Sequence, residues 1–251
     1  MRIPRSFTSA HSLSAAVIHA FSEFMKAVLF DIYETLLTCE NEPLTMTAAN
    51  EAMARVAESH GIPGETHLAE KVSAWIAKAH SDSPHPFPEI DIRVLWADLL
   101  PGVDDSDSLS LDMEEAIHSV RLVENARQII RHMHACGMRL GIVSNAQAYT
   151  RVIMKRLMGR DWDLFDPDLM AFSYEYGRAK PDAFLFDQAT GNLLEEGMLT
   201  SEILMVGDSQ VNDMQPASQL GLKTLLVSKG GGFPPDSPLW QIPRATPQGN
   251  T

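Results

Sequence analysis

The sequence predicts an α/β fold, a doubly wound parallel sheet carrying an inserted helical lobe, and three observations predict it. Short apolar runs at Ala27-Val28-Leu29-Phe30, Leu140-Gly141-Ile142-Val143 and Ile203-Leu204-Met205-Val206 are each followed at once by a polar residue. Such runs fit strands buried on both faces of a parallel sheet. Segments of helical period lie between them, which gives the alternation of a doubly wound domain. Between Leu37 and about Val123 that alternation is interrupted by a stretch too long for a loop.

Taken in order, residues 1–24 hold Arg2, Arg5, several serines and no acid before Glu23. They bear some likeness to a transit peptide, but the expectation is an accessory extension with a short helix over Ser14–Phe24, and the domain begins naturally at Met25-Lys26. Residues 25–38 and 123–230 form the core. Residues 39–122 form the helical insertion, with helices over Ala48–Ser59, Glu65–Ala79 and Ile92–Leu99. Gly61-Ile62-Pro63-Gly64 and Ser83-Pro84-His85-Pro86-Phe87-Pro88 separate them. Trp75 and Trp96 fit packing between these helices, and Arg93 is a candidate for an anionic substrate tail. Asp104, Asp105 and Asp107 look like a solvated turn. In the core, Leu122, Ile129, Ile130 and Met133 share a sheet-covering face, and Ala217, Leu220 and Gly221 suit a close-packed helix. Residues 231–251, opening on Gly230-Gly231-Gly232-Phe233-Pro234-Pro235, read as a loose tail.

The polar residues at the strand ends carry the chemistry. In open parallel sheets the ligand crevice lies outside the carboxyl ends of the strands, so Asp31, Ser144 and Asp208 should meet at one edge. Asp31 can attack an anionic phosphoryl group only if charge is neutralised, and a magnesium ion held between Asp31 and Asp208 would do that. The Ser144 hydroxyl and backbone N–H groups around Ser144 and Asn145 could hold phosphoryl oxygens, while Lys180 supplies fixed positive charge.

Four segments in this order, Asp31-Ile32-Tyr33-Glu34-Thr35, Val143-Ser144-Asn145, Lys180-Pro181-Asp182 and Gly207-Asp208-Ser209 running to Asn212-Asp213, resemble the haloacid dehalogenase-like hydrolase superfamily over roughly residues 26–228. The resemblance implies a Rossmann-like core with a helical cap that closes over the site and selects the substrate. It makes Asp31 a covalent nucleophile, Thr35 and Ser144 hydrogen-bonding groups, and Lys180 the charge that orients nucleophile and phosphate. Asp208 and the backbone carbonyl of Tyr33 become magnesium ligands beside Asp31. Asp213 becomes the carboxylate that orients Lys180 or metal-bound water. The implied reaction is phosphoric monoester hydrolysis through an aspartyl-phosphate, on a small phosphorylated metabolite.

Two residues depart from that pattern. Phosphatases of the superfamily usually carry an aspartate two residues after the nucleophile, as acid and base, and here Tyr33 stands there. A phenol with a reference pKa near 10 is a poor base at neutral pH, and loss of such a group costs about a hundred- to ten-thousand-fold in rate. Tyrosine at this position also resembles the metal-independent 2-haloacid dehalogenases, whose nucleophile attacks carbon. Asp208 argues the other way, because those enzymes resemble one another in reading closer to Ser-Ser-Asn there. A catalytically weak, ligand-binding member of the fold is a third reading. Glu34 replaces the usual glycine, and either faces solvent in the turn or swings back toward Asp31 as a substitute acid.

A formal net charge of −13 argues against nucleic acid or an anionic membrane as partner. No run of about twenty apolar residues is present. Two distant cysteines, Cys39 and Cys136, make no disulfide framework, which points to a reducing cytoplasm. Nothing in the sequence sets the oligomeric state.

Overall fold

The computed structural model describes residues 25–242; the expected extension over residues 1–24, with its helix, lies outside them. Five parallel strands form the central sheet in the order β5-β4-β1-β6-β7. They are β1 (Ala27–Phe30), β4 (Arg139–Ser144), β5 (Phe165–Phe172), β6 (Ile203–Gly207) and β7 (Lys223–Leu226). β1 sits in the middle, paired in register with β4 (Leu29 opposite Gly141) and β6 (Leu29 opposite Met205). The chain winds outward through β4 and β5, then returns to β6 on the other side of β1. The winding therefore reverses between β1 and β6, where such sheets bind ligands.

Strand side chains alternate between two apolar layers, as a period of two requires. Val28, Phe30, Leu140, Ile142, Leu204 and Val206 face one layer; Ala27, Leu29, Val143, Ile203 and Met205 face the other. The first layer is covered by α5 (Ala126–Ala135), through Ile129, Ile130 and Met133, and by α6 (Ala148–Met158), through Ile153 and Met154. The second is covered by α7 (Phe184–Glu195), through Leu185, Phe186 and Ala189, and by α8 (Gln215–Gln219), through Ala217. Gly141 admits no side chain, because a Cβ there would lie 2.5 Å from the Leu169 carbonyl.

The excursion leaves and returns through a small antiparallel pair, β2 (Leu37–Cys39) against β3 (Val120–Leu122), with Thr38 opposite Arg121. Between them lie α1 (Met46–Ser59), α2 (Leu68–Asp82), α3 (Ile92–Leu99) and α4 (Ser106–Ile117). Their apolar faces make a separate core around Leu68, Leu95, Trp96, Leu109 and Met113. The acidic run read as a solvated turn is instead the start of α4: the Asp105 carboxylate accepts from Ser108 N–H at 2.9 Å, and Asp107 lies in the first turn. Negative charge there complements the helix dipole. The proline-rich segment runs beside the chain leading to Lys180, with Ala179 N–H to Phe87 O at 2.8 Å and Glu89 N–H to Gly177 O at 3.1 Å.

The expected loose tail is corrected as far as it is described, and its residues 243–251 lie outside the described residues. From Gly232 to Ile242 it is docked, not loose: Phe233 is fully buried, meets the Phe30 ring edge-on at 6.3 Å, and donates its N–H to Glu124 O. Leu239 and Ile242 are buried in the same layer. Among the described residues no helix is long and apolar enough to cross a membrane.

Candidate active site

The carboxyl ends of β1, β4 and β6 bring the polar residues together. Asp31 N–H donates to Val206 O at 3.0 Å, extending the ladder one residue beyond β1 and fixing where the carboxylate leaves the sheet. Its Oδ1 accepts from Lys180 Nζ at 2.7 Å and from Ser144 Oγ at 3.0 Å. Its Oδ2 has only a long contact, 3.4 Å, from Thr35 Oγ1. One oxygen is thus held by two strong donors and the other is nearly uncommitted.

Lys180 is buried, and all three of its N–H groups are used. Besides Asp31 it donates to Val143 O at 2.9 Å and to Asp213 Oδ1 at 2.5 Å. Burial works against the ammonium, but Asp31 and Asp213 outweigh it and hold its pKa above the ordinary lysine value. Lys180 therefore orients two carboxylates directly and acts on a ligand only as a nearby charge. Asn145, expected at the phosphate through its backbone, uses its side chain to clamp the main chain of Lys180: Nδ2 donates to Lys180 O at 3.0 Å, and Lys180 N–H donates to Oδ1 at 2.6 Å.

Asp208 and Asp213 come from the turn after β6. Asp213 is fully buried, its Oδ2 accepting from Ser209 N–H at 3.0 Å. Gly207 makes room for it, since a Cβ there would collide with the Asp213 carboxylate. Burial pushes the Asp213 carboxyl up to about 6, with the Lys180 charge opposing. Asp208 is half-buried; burial and then the Asp31 charge raise its pKa. Oxygens of Asp31, Asp208 and Asp213 lie within 4.8 Å of one another. Three carboxylates face one ammonium, and that ammonium is bonded to the two that are not Asp208. A hard divalent cation with oxygen ligands fits this donor set and its charge deficit.

The Tyr33 side chain turns from Asp31 toward α6, its hydroxyl 3.0 Å from Thr150 Oγ1. Burial, with Glu114 second, drives the phenol well above its ordinary pKa. Glu34 takes neither expected course. Its backbone is left-handed (φ 61°), its half-buried carboxylate accepts from Thr38 Oγ1 at 3.1 Å, and its carbonyl accepts from Gly230 N–H. The left-handed backbone explains why glycine is the usual residue here.

Arg93, expected to meet a substrate tail, is engaged by Asp91 at 2.7 Å and Asp107 at 3.3 Å. Glu175 pairs with Arg151 at 2.8 Å. Residues the sequence did not single out tie the insertion to the core. Ser173 Oγ donates to Glu89 Oε2 at 2.7 Å, and Gln147 binds Glu89 Oε1 at 3.2 Å and the Ile92 N–H at 2.9 Å. Those pairs span 55 to 84 residues and no local pattern announces them.

Comparison with known proteins identifies the family and the fold. Residues 25–221 match the haloacid dehalogenase-like hydrolase family. The chain is 26% identical, over 82% of each protein, to a glyceraldehyde 3-phosphate phosphatase of Pyrococcus abyssi. The fold is shared with a HAD phosphatase from Thermococcus onnurineus (TM-score 0.54, 22% identity, 85% of this chain and 91% of that one). It is also shared with a dehalogenase solved with an intermediate complex (TM-score 0.53, 16% identity, 89% of this chain and 99% of that one). With the match spanning most of its length, the chain is a hydrolase belonging to the haloacid dehalogenase-like family.

Proposed function

We propose that this hydrolase is a magnesium-dependent phosphatase that cleaves small phosphorylated metabolites through an aspartyl-phosphate on Asp31. The observation that carries the reading is Asp208, a carboxylate raised in pKa beside Asp31 with no cation bonded to it among the described residues. Displacement of halide at carbon needs no metal ion and leaves Asp208 without a task, whereas an anionic phosphoryl group needs the cation that Asp208 would help to hold. The relative named for glyceraldehyde 3-phosphate supports a substrate of that size class.

Asp31, Asp208 and the Tyr33 carbonyl would hold the ion, with Asp213 behind them. Bound there, magnesium supplies positive charge that draws the phosphoryl oxygens in and offsets their repulsion from Asp31. Ser144 and Lys180 fix Oδ1, which leaves Oδ2 as the attacking oxygen. Its bond to phosphorus forms as the ester P–O bond breaks in line. The departing oxygen takes its proton from water, because the Tyr33 phenol is bound to Thr150 and turned away. Water then hydrolyses the aspartyl-phosphate, freeing inorganic phosphate and restoring Asp31. The helical insertion acts as a lid that excludes bulk water and selects the ester.

The test is turnover of p-nitrophenyl phosphate and of 2-chloropropionate, each with magnesium and with a chelator. Magnesium-dependent p-nitrophenol release, abolished in Asp31→Asn, is the expected result. Chelator-resistant chloride release would overturn the proposal in favour of carbon chemistry, the reading that Tyr33 keeps open.

A further inference from the structure

The loop after β7 crosses the place where the sheet reverses direction. Val227 N–H donates to Gly207 O at 2.9 Å, one residue before Asp208, and Gly230 N–H donates to Glu34 O at 2.8 Å, three residues after Asp31. Ser228 and Lys229, pinned at both ends, therefore bridge the loops that follow β1 and β6. Gly230 permits the close approach: its backbone is left-handed (φ 62°), and a Cβ there would lie 2.9 Å from Glu34 Oε2.

Lys229 is exposed and makes no hydrogen bond or ion pair with any described residue. Arg93 pairs with Asp91, Arg151 with Glu175 and Arg178 with Asp182. Lys180 has no N–H to spare. An incoming dianion thus approaches Asp31, Asp208 and Glu34 on a chain of net charge −13, and at that edge Lys229 is a cation with no bonded partner among the described residues.

We propose that Lys229 is the rim cation that captures the substrate's phosphoryl group and holds it during entry to the crevice. The inference rests on the phosphatase reading and adds a binding residue to it. Lys229 raises the encounter rate and the affinity for the anion, and it takes no part in bond breaking.

Two readouts test it: calorimetric binding of inorganic phosphate in magnesium, and kcat and KM for p-nitrophenyl phosphate at low and high salt. In Lys229→Ala both phosphate Kd and KM rise about tenfold, Lys229→Glu is worse, and kcat changes less than about twofold. Lys229→Arg restores binding to within about twofold, and the difference between wild type and Lys229→Ala collapses at about 0.5 M salt, as screening requires. Unchanged Kd and KM in Lys229→Glu overturn the proposal, as does a loss that Arg fails to restore and salt fails to reduce. Wild-type protein that binds phosphate through Lys229 but cleaves no phosphate ester sinks the phosphatase reading alone. Turnover indifferent to Lys229→Glu sinks this inference alone, and a wild type that binds no phosphate sinks both.

Discussion

Lys180 shows how one side chain sets both the stability and the chemistry of this site. Its three bonds to Asp31, Asp213 and Val143 O leave no buried N–H unpaired, and they hold two carboxylates that would otherwise repel. Lys180→Met should therefore abolish turnover and, measured by urea unfolding in chelator, cost about 3–5 kcal/mol, the range for removing one partner of a buried ion pair. Unchanged stability would mean the carboxylates are not ionised together. The same raised carboxylates set a pH dependence. Asp213 titrates at about 6 and Asp208 is raised as well, so protons compete with the cation as pH falls. Magnesium affinity followed by calorimetry should weaken steadily from pH 7.5 to 5.5, and a flat profile would remove these groups from the metal site. Tyr33→Asp restores an acid two residues from Asp31. Turnover of alkyl phosphates, which have poor leaving groups, should rise about tenfold or more, with little change for p-nitrophenyl phosphate. No rise for alkyl phosphates would show that the lost proton donor does not limit the rate.

At the scale of elements, α4 is the instructive case. Its N-cap is Asp105, bonded to Ser108 N–H, so Asp105→Ala should lower stability by about 1 kcal/mol in thermal unfolding, whereas a solvated turn would show no measurable change. The signal for this helix was present in the sequence, an aspartate three residues before Ser108 and then Leu109, Met113 and Ile117 on one face; clustered acids masked it. The strands were readable because burial on both faces leaves an unbroken apolar run, and a polar residue after each run marks the edge where ligands bind. Asp31, Ser144, Lys180, Asp208 and Asp213 were legible for that reason and through their order along the chain. The direction of the Tyr33 side chain, the clamp of Asn145 on Lys180 and the pairing of Arg93 with Asp91 and Asp107 were not. Each depends on what a distant element or a particular rotamer presents, and one strand position or turn offers both choices.

On the scale of the whole molecule, the chain end decides how the core closes. Gly230 to Gly232 and Pro234-Pro235 have the composition of a linker, and only Phe233 among them could anchor it. That single ring fills the layer against Phe30, the residue before Asp31, while Asn125 Nδ2 and Trp240 Nε1 donate to the Phe233 carbonyl at 3.0 and 3.3 Å. The segment thus covers one face of β1, and the same stretch of chain, a few residues earlier, bridges the loops after β1 and β6. Phe233→Ala leaves a cavity beside β1 and should cost about 3–5 kcal/mol in denaturant unfolding. Because Phe233 packs in the apolar layer with Phe30, kcat measured well below the midpoint should stay within about threefold of wild type. A loss of stability under about 0.5 kcal/mol, the usual size for a surface change, would mean the end of the chain is not part of the core. A large loss of kcat without loss of stability would mean that Phe233 positions Asp31 directly.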